Sequence, residues 1–344
     1  MRKMAAEIGP SLLGGLLFAS AGVGTFELSD WAMRTWLGLS LHQANLAATA
    51  MASAAASALL SLVLRGYKRS LFARFTAAER RLIRQFEIAL QQGRIVPFFQ
   101  PVINAATGAV SGAEVLVRWL RPDGRHIAPA DFIGIIERSG AITRLTRTIA
   151  EAAIREAAAW RASGNDISIS INLSALDLRE PDLARHLADL CLFHGLPPNR
   201  LLVELTETQA VENLHQAREI LTQMRDFGIG VLLDDFGTGY ASMGLLHDLP
   251  FRGLKIDQRF VRTALSDPTA AAIVKVSIEL GRQLGLWLIA EGVEDAETSI
   301  WLESQGVHRQ QGFLFSPALP VDELIAISHR FAVNNNLSQI HTGK

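Results

Sequence analysis

From Ile95 onward, short β-rich runs alternate with longer helical patterns, and this alternation limits the possible folds more than any other feature. The predicted strands read IVPFFQPVI, VSGAEVLVRWL, DISISINLS, RLLVELTE, GIGVLLDDF, GLKID, LWLIAEGV and HRQQGFLF. Eight strands with interleaved helices predict an α/β fold, a (β/α)8 barrel of the TIM type rather than an open doubly wound sheet. Only NAATGA separates the first two strands, so we expect a modified barrel whose first strand is antiparallel.

Two uncharged apolar runs precede this pattern, at residues 8–26 and 43–64. Each is long enough to cross a hydrocarbon core of about 30 Å as a helix. Basic residues flank the pair at Arg2, Lys3 and 65–74, which predicts an N-terminal two-helix transmembrane hairpin with both ends in the cytoplasm. We therefore expect the chain in the inner (cytoplasmic) membrane with its barrel in the cytoplasm. A cleaved signal peptide and a soluble Ala-rich helical pair are the alternatives.

Helical spacing of apolar residues continues after the second run and stops at Gly93, a typical C-cap. The sequence predicts a transmembrane hairpin at 1–66, a linker helix at 67–93, a barrel domain at 80–336 and a C-terminal tail at 337–344. The net charge of −1 gives no reason to expect a nucleic acid polymer as partner. The single cysteine, Cys191, excludes an intramolecular disulfide.

Polar side chains stand at or near the end of every predicted strand. In a TIM-type barrel the carboxyl ends of the strands form one mouth, where the chemistry takes place. In chain order these residues are Gln100, Glu114, Arg118, Asn172, Glu204, Glu207, Asp234, Asp235, Lys255, Glu291, Glu294 and Gln311. Core packing does not require such a set, so we expect a functional site at this mouth.

Taken singly, these residues also have ordinary structural interpretations. Glu114 could be a surface residue, Asn172 a turn former, and Lys255 a strand-end side chain whose ammonium reaches solvent. The DDFG stretch at 234–237 also matches a kinase motif, but no catalytic-loop motif precedes it. Their joint occurrence, in order, at successive strand ends is what favours a site.

Five carboxylates of the set would repel one another strongly if they converge. They are Glu114, Glu204, Asp234, Asp235 and Glu291. Such a cluster requires bound cations or protonation of several members. Oxygen ligands including the amide of Asn172 suit Mg²⁺ or Mn²⁺, and the lack of Cys and His argues against structural zinc. Two such ions can activate water and stabilise the attacking and leaving oxygens in phosphoester hydrolysis.

Several stretches together resemble the EAL domain family. They are FFQP, AEVLVRW, INLSA, ELTET, LLDDFGTGYASMGLLHDLPFRGLKIDQRFV, IAEGVE and QGFLFSPALP, within residues 80–331. The resemblance implies a TIM-type barrel with an antiparallel first strand. It also implies a phosphodiesterase that hydrolyses the bacterial second messenger cyclic di-GMP (c-di-GMP) to linear pGpG with two Mg²⁺ or Mn²⁺ ions per site, and a homodimer formed through the barrel.

The resemblance also implies roles for the polar residues. The metal ligands would be Glu114, Asn172, Glu204, Asp234 and Asp235, with Asp234 shared by both ions. Lys255 would orient the attacking water, and Glu291 would act as general base or support it. Gln100 and Arg118 would contact substrate, and Gln311 and Glu294 would contact substrate or support residues that do. Glu207 would anchor the loop DFGTGYAS and couple ligand and dimer to metal binding.

Two positions depart from the usual family pattern. Val115 replaces Ala in the Glu-Val-Leu signature, and Pro317 and Ala318 stand where Lys-Pro is usual, which puts a contact from that lysine in doubt. Neither change removes a metal ligand, so the sequence predicts an active c-di-GMP phosphodiesterase. A catalytically silent c-di-GMP receptor and a membrane-anchored interaction scaffold are the alternatives.

Overall fold

A computed structural model gives the fold of the chain and describes residues 49–50, 52–61, 75–212, 214–238 and 242–328. The chain divides into two units between Ala77 and Ala78. In the first unit, the described residues 49–50 and 52–61 are helical. The second unit contains a barrel and the helices around it.

Eight of the strands in the described part of the second unit form a closed ring. The strands are β1 (Ile95–Asn104), β2 (Ala109–Leu120), β3 (His126–Ile127), β4 (Ser168–Asn172), β5 (Leu201–Thr206), β6 (Gly230–Phe236), β7 (Gly253–Ile256), β8 (Trp287–Ala290) and β9 (Arg309–Gln310). The ring order is β1-β9-β8-β7-β6-β5-β4-β2, closed by the pairing of β1 with β2. β1 is antiparallel to both neighbours, and the other ring pairs are parallel. The predicted eight-stranded barrel with an antiparallel first strand is confirmed.

Helices pack around the ring. They are α1 (Ala77–Gln91), α2 (Pro129–Arg138), α3 (Ile142–Ala162), α4 (Leu183–His194), α5 (Glu207–Glu212), α6 (Leu214–Asp226), α7 (Ser242–Asp248), α8 (Gln258–Thr263), α9 (Pro268–Gln283) and α10 (Ala296–Ser304). Residues 321–328 are also helical. The longer helices of the layer bury an apolar face; α3, for example, buries Leu145, Ile149, Ile154 and Trp160. Full burial of one such aliphatic side chain contributes about 1.5–3 kcal/mol.

The described part of the predicted linker helix is α1. Its apolar residues recur at helical spacing and bury Ile83, Phe86 and Ala89. Gly93 ends it with a φ of 65°, a conformation that favours glycine. Residues 67–74 lie outside the described residues.

Alternation along the strands gives the barrel interior two layers. Every second side chain of a strand points to the same face. Near the amino ends of the parallel strands, which we call the floor, one buried apolar cluster contains Val102, Leu202, Leu232 and Ile289. Two residues nearer the carboxyl ends, which form the mouth, the same strands carry Gln100, Glu204, Asp234 and, directly after β8, Glu291. The same strands therefore supply an apolar floor layer and a polar mouth layer.

Two features of the fold differ from the sequence prediction. HRQQGFLF was expected to be a strand throughout, but β9 contains only Arg309 and Gln310. After β9 the chain turns and passes close to Val293: a Cβ on Gly312 would be 2.1 Å from the Val293 carbonyl oxygen. β3 was not predicted; it pairs with the end of β2 and takes no part in the ring.

None of the described helices is both long and apolar enough to span a membrane. The first predicted span, residues 8–26, lies outside the described residues, and the second, 43–64, lies partly outside them. The transmembrane hairpin and the domain limits at residues 66, 93 and 336 stay predictions.

Candidate functional site

The ammonium group of Lys255, on β7, lies among four carboxylates at the mouth. Its Nζ is 2.6 Å from Glu204 Oε2, 2.6 Å from Glu291 Oε1 and 3.1 Å from Glu114 Oε2. Asp234 Oδ1 is 3.5 Å away. Burial alone lowers the pKa of Lys255, but the carboxylates, Asp234 foremost, raise it well above its usual value. The lysine is therefore charged, and the cluster keeps an excess of negative charge when its acids are ionised.

Amide groups hold the carboxylate of Glu114. Asn172 Nδ2 donates to Glu114 Oε1 at 2.9 Å, and Gln311 Nε2 donates to Glu114 Oε2 at 2.7 Å. Gln311 Nε2 also donates to Gln100 Oε1 at 3.0 Å, and Gln100 Nε2 donates to the Ser316 carbonyl at 3.2 Å. This chain of amides joins β1, β2, β4 and the segment after β9, so it fixes the side-chain conformations on one side of the mouth.

Glu114 and Glu204 share the same ammonium but have opposite pKa shifts. Burial raises the pKa of Glu114, yet Lys255 and the donating amides together hold it below its ordinary value. Burial and the charge of Glu114 raise the pKa of Glu204 to about 8, which Lys255 offsets only in part. The pKa of Glu291 is also raised, by burial first and by Asp234 next, against the opposing effect of Lys255. The ammonium of Lys255 therefore does not neutralise all the carboxylates around it.

Asp235 reaches the mouth through an unusual backbone conformation. Its φ of 54° lies in the left-handed region, which costs a non-glycine residue about 1–3 kcal/mol. Its N–H donates to Asp234 Oδ1 at 2.9 Å. Burial, the charge of Asp234 and the nearby Asp257 raise the pKa of Asp235 to about 6. Adjacent residues of a regular strand would point to opposite faces, and this turn is what allows both aspartates to serve one site.

The acidic residues fit a hard divalent cation. Asp234, Asp235 and Glu291 each offer one oxygen, and these three atoms lie within 4.8 Å of one another. Glu204 Oε1 is buried and accepts no hydrogen bond. Buried carboxylate oxygens with no donor are costly unless a cation binds them. Oxygen donors of this kind are the ones that Mg²⁺ and Mn²⁺ prefer.

Two predicted substrate contacts lie at the margin of the mouth. Arg118 is placed with its guanidinium 5.6 Å from the centroid of the Phe98 ring. Burial lowers the pKa of Arg118, and the charge of Glu114 opposes that shift. Glu294 is half-exposed and forms an ion pair of 2.9 Å with Arg262. In the described part of the chain, neither Arg118 nor Glu294 contacts the ammonium of Lys255.

Glu207 lies beside the loop that follows β6. It is buried, and its Oε1 accepts a hydrogen bond of 3.1 Å from the N–H of Gly237. Gly237 has a φ of 99°, and a Cβ there would be 3.0 Å from the Phe260 ring, so glycine suits this turn sterically. Glu207 thus holds the start of the loop after β6.

Two cavities open beside these residues. One of about 270 Å³ is lined by Gln100, Glu114, Leu116, Asp234, Gln258, Arg262, Glu291, Gly292, Gln311, Gly312 and Phe313. A second, of about 300 Å³, has a mainly apolar lining from β2, α2, α3 and β4, and it also contains Leu116 and Asn172. Leu116 borders both cavities, so a ligand with two bulky groups could place one on each side of it.

Sequence reasoning missed several residues of this region. Asp257, beside Asp235, is buried and accepts a hydrogen bond of 2.7 Å from the N–H of Arg259 as the N-cap of α8. An aspartate directly before a helical pattern is a recognisable cap signal, so it could have been found. Gln258, Arg262 and Phe313 line the smaller cavity. They follow the strand ends by several residues, and no local pattern marks them.

The comparisons agree with this geometry. The sequence pattern of the EAL domain matches residues 83–318. The chain is 35% identical over 246 residues to the bifunctional diguanylate cyclase/cyclic di-GMP phosphodiesterase MucR of Pseudomonas aeruginosa, covering 71% of this chain and 36% of MucR. It is 35% identical over 232 residues to the cyclic di-GMP phosphodiesterase PdeR of Escherichia coli, covering 67% of this chain and 35% of PdeR. The chain thus spans about a third of the length of these relatives.

A solved structure of the PaMucR phosphodiesterase in complex with c-di-GMP has the same fold. The two superpose with a TM-score of 0.68 at 35% identity, covering 71% of this chain and 99% of that structure. The family pattern covers well over half of the chain, and the eight-stranded barrel carries its polar residues at one mouth. The chain therefore belongs to the EAL domain family.

Proposed function

We propose that this chain hydrolyses c-di-GMP to linear pGpG. The observation that carries the proposal is the buried group of Glu114, Glu204, Asp234 and Glu291 around Lys255, with Asp235 beside it. Phosphodiester hydrolysis needs an activated water and stabilisation of the charge on the phosphoryl oxygens, and an acidic centre that binds divalent cations supplies both.

Two Mg²⁺ or Mn²⁺ ions would be held by Glu114, Asn172, Glu204, Asp234 and Asp235. When bound, they would lower the pKa of a water and neutralise charge on the transferred phosphoryl group. The donor set supports this assignment, because Glu204 Oε1 lacks a hydrogen-bond donor and the amide oxygen of Asn172 is not used in its bond to Glu114.

The remaining residues of the mouth would act on water and substrate. Glu291, whose pKa is raised by burial, would accept the proton of the attacking water. Lys255 would orient that water and limit the repulsion between the incoming phosphate and the carboxylates. Gln100 and Gln311 would contact the nucleotide, and their hydrogen bonds to each other and to Glu114 would hold them in place. Arg118 and Glu294 would contact the nucleotide from the margin of the mouth.

The shape of the mouth supports a dinucleotide as substrate. Leu116 lines both cavities, of about 270 and 300 Å³, and c-di-GMP carries two guanine bases joined by a phosphodiester ring. The larger cavity is mostly apolar and suits the face of a base, while the smaller one holds the acidic residues. The structure of the PaMucR phosphodiesterase contains c-di-GMP, which supports the same ligand for this chain.

The proposal is tested by incubating the full chain with c-di-GMP and Mn²⁺ or Mg²⁺ and separating the products by chromatography. We expect linear pGpG to accumulate, and chelation of the metal to stop the reaction. Calorimetric binding of c-di-GMP with the substrate left intact under both metals would contradict catalysis and favour the silent receptor. Absence of both binding and turnover would favour the interaction scaffold.

We also propose that residues 8–26 and 43–64 anchor the chain in the inner membrane and that the barrel forms a homodimer. The uncharged runs and their basic flanks support the anchor, and the buried contact of Glu207 with the loop after β6 supports coupling between that loop and the mouth. Fractionation of cells tests the anchor, and sedimentation of the full chain with and without c-di-GMP tests the dimer. Recovery in the cytosolic fraction, or a monomer under both conditions, would contradict the respective proposal.

A further inference from the structure

The floor of the barrel carries two guanidinium groups against one indole ring. Arg252 directly precedes β7, Trp287 begins β8 and Arg309 begins β9, so the three residues stand on neighbouring strands. The Cζ atoms of Arg252 and Arg309 are 4.1 and 4.6 Å from the centroid of the Trp287 ring. We call this group the floor arginine pair.

Alternation along β9 places Arg309 inside the barrel. Gln311, two residues later, donates to Glu114 and Gln100 at the mouth, and residues two apart on an extended chain share a face. Arg309 therefore lies in the floor layer with Ile289 and borders the same cavity. Both arginines are half-buried, so a permanent positive charge beside these apolar side chains would be stabilised by a bound anion.

Neither guanidinium forms a hydrogen bond or an ion pair with an acidic side chain among the residues the structure describes. Burial lowers the pKa of Arg309 first, and the nearby charge of Arg252 lowers it further. Stacking on Trp287 offsets part of this cost, since a cation–π contact contributes about 0.5–2 kcal/mol. It leaves the planar donor edges of both guanidiniums without a side-chain acceptor among the described residues.

A cavity of about 250 Å³ adjoins the pair. Its lining includes Ser168 and Ser170 from β4 and Asn199 and Arg200 from the turn before β5. Ser168 and Ser170 bring hydroxyl groups, while Arg200 is already paired with Asp166. The cavity is smaller than the sites of drug-sized ligands, which measure roughly 300–1,000 Å³.

Gly230 gives Arg252 the space to lie across the floor. A Cβ at this position would be 2.9 Å from Arg252 Cδ and 2.5 Å from Leu202 Cδ2. Any larger residue would have to displace the arginine side chain or the leucine beneath it. The sequence therefore leaves room at the floor for the guanidinium that faces the cavity.

We propose that the floor arginine pair and its cavity form a binding site for a phosphate dianion, either inorganic phosphate or the terminal phosphate of a small monoester. Guanidinium forks match the oxygens of phosphate in pairs, and the hydroxyls of Ser168 and Ser170 can donate to the rest. The site lies at the opposite end of the barrel from Lys255 and does not depend on the reaction proposed for the mouth.

The test is calorimetric titration of the full chain with sodium phosphate, at constant ionic strength set with sodium chloride. We expect saturable binding that weakens by about tenfold or more in Arg252→Gln and in Arg309→Gln. Arg118→Gln, at the mouth, and Arg282→Gln, on the outer face of α9, are the controls and should bind as the unaltered chain does. Equal weakening in Arg118→Gln would place the phosphate at the mouth and overturn the proposal.

Methyl phosphate distinguishes the two sources of the anion. Binding of both anions with the same sensitivity to Arg309→Gln assigns the site to phosphate monoesters, and binding of inorganic phosphate alone assigns it to the free ion. Binding of neither in the unaltered chain would overturn the proposal, because the pair would then serve only to pack Trp287.

Hydrogen exchange of the unaltered chain locates the site even if a variant fails to fold. Phosphate should slow amide exchange at the starts of β7, β8 and β9, around Gly253, Leu288 and Gln310. Protection confined to the segments that carry Glu114 and Glu291, or no protection at all, would contradict a floor site.

Discussion

The two ends of the barrel use charge in opposite ways. The mouth places four carboxylates around the single ammonium of Lys255, whereas the floor places the guanidiniums of Arg252 and Arg309 around the ring of Trp287. The two sets share β7 and β8, where only a few residues separate Arg252 from Lys255 and Trp287 from Glu291. At the mouth, Lys255 neutralises part of the acidic charge. At the floor, no acidic side chain of the described residues pairs with Arg252 or Arg309. A closed barrel can thus collect acidic side chains at one end and basic side chains at the other, even where the two sets share strands.

The largest effect is expected at the mouth, from Asp234→Asn. The change removes a carboxylate that is 3.5 Å from Lys255 and close to both Asp235 and Glu291, so metal binding and turnover should fail together. We expect turnover of c-di-GMP to fall by more than about a thousandfold. The control is Asp248→Asn, which removes an ion pair with Arg218 on the outer helices. Turnover near that of the unaltered chain would contradict the assignment of the mouth as the catalytic end.

The next-largest effect is expected on stability, from removal of the ammonium at the mouth. Lys255→Met leaves four carboxylates without their cation, and loss of one partner from a buried ion pair costs about 3–5 kcal/mol in free energy of unfolding. Urea unfolding in the absence of divalent metal measures it. Lys275→Met, on the exposed face of α9, is the matched control and should change stability by less than about 0.5 kcal/mol. Equal effects of the two changes would show that the central ammonium does not hold the mouth together.

Divalent cations should stabilise the folded chain by binding at the mouth, independently of the arginines at the floor. At about a hundred times its Kd, Mn²⁺ should raise the free energy of unfolding by about 2.7 kcal/mol, because it binds the folded chain. Thermal melts in manganese chloride, against sodium chloride of the same ionic strength, measure the shift. The shift should persist in Arg309→Gln and disappear in Asp234→Asn. A shift that is the same in both variants would place the cation elsewhere.

A smaller effect comes from Asp177, a buried acid beside the barrel that forms no ion pair with a basic side chain of the described residues. Thr146 Oγ1 and the N–H of Ser174 donate to its Oδ2 at 2.9 and 2.8 Å, while Oδ1 accepts no hydrogen bond. Burial raises the pKa of Asp177. The folded chain therefore holds a proton that the unfolded chain loses near pH 4, and stability falls as pH rises from there through the raised pKa.

Asp177→Asn removes that charge and keeps an oxygen acceptor. We expect the variant to gain about 1 kcal/mol at neutral pH and to lose this part of the pH dependence, as measured by urea unfolding at several pH values. Asp182→Asn is the control and should not gain stability at neutral pH, because a hydrogen bond from Arg147 lowers the pKa of Asp182 and so favours its ionised form. A loss of stability in Asp177→Asn at neutral pH would show that the ionised form is the favoured one.

The sequence predicted the mouth better than the floor. Glu204, Asp234 and Glu291 converge as expected, because parallel strands bring their carboxyl ends to one edge whatever the details of packing. Lys255 was expected at the same mouth, but its contacts with four carboxylates were not predictable, since they depend on how far the ammonium extends into a buried space. The left-handed backbone of Asp235 was equally hidden, because a pair of aspartates does not reveal which one leaves the strand.

The floor arginine pair shows why the remainder was not predictable. Arg252 and Arg309 are separated by more than fifty positions in the sequence and have no motif in common. Their approach to Trp287 follows from the register of β7, β8 and β9, in which Gly253 pairs with Trp287 and Ile289 with Arg309. Register is set by tertiary packing, so strand propensities alone do not show that these side chains meet.

The short β9 has a consequence for the kinetics of folding and opening. The ring closes between β1 and β9 through two residue pairs, Ile103 with Gln310 and Asn104 with Arg309. This contact joins the two ends of the barrel sequence, so it carries a high loop-closure cost and should form late. The same seam carries Gln311 to the mouth and Arg309 to the floor. A local opening between β1 and β9 would therefore disturb two contacts at once: that of Gln311 with Glu114 at the mouth and that of Arg309 with Trp287 at the floor.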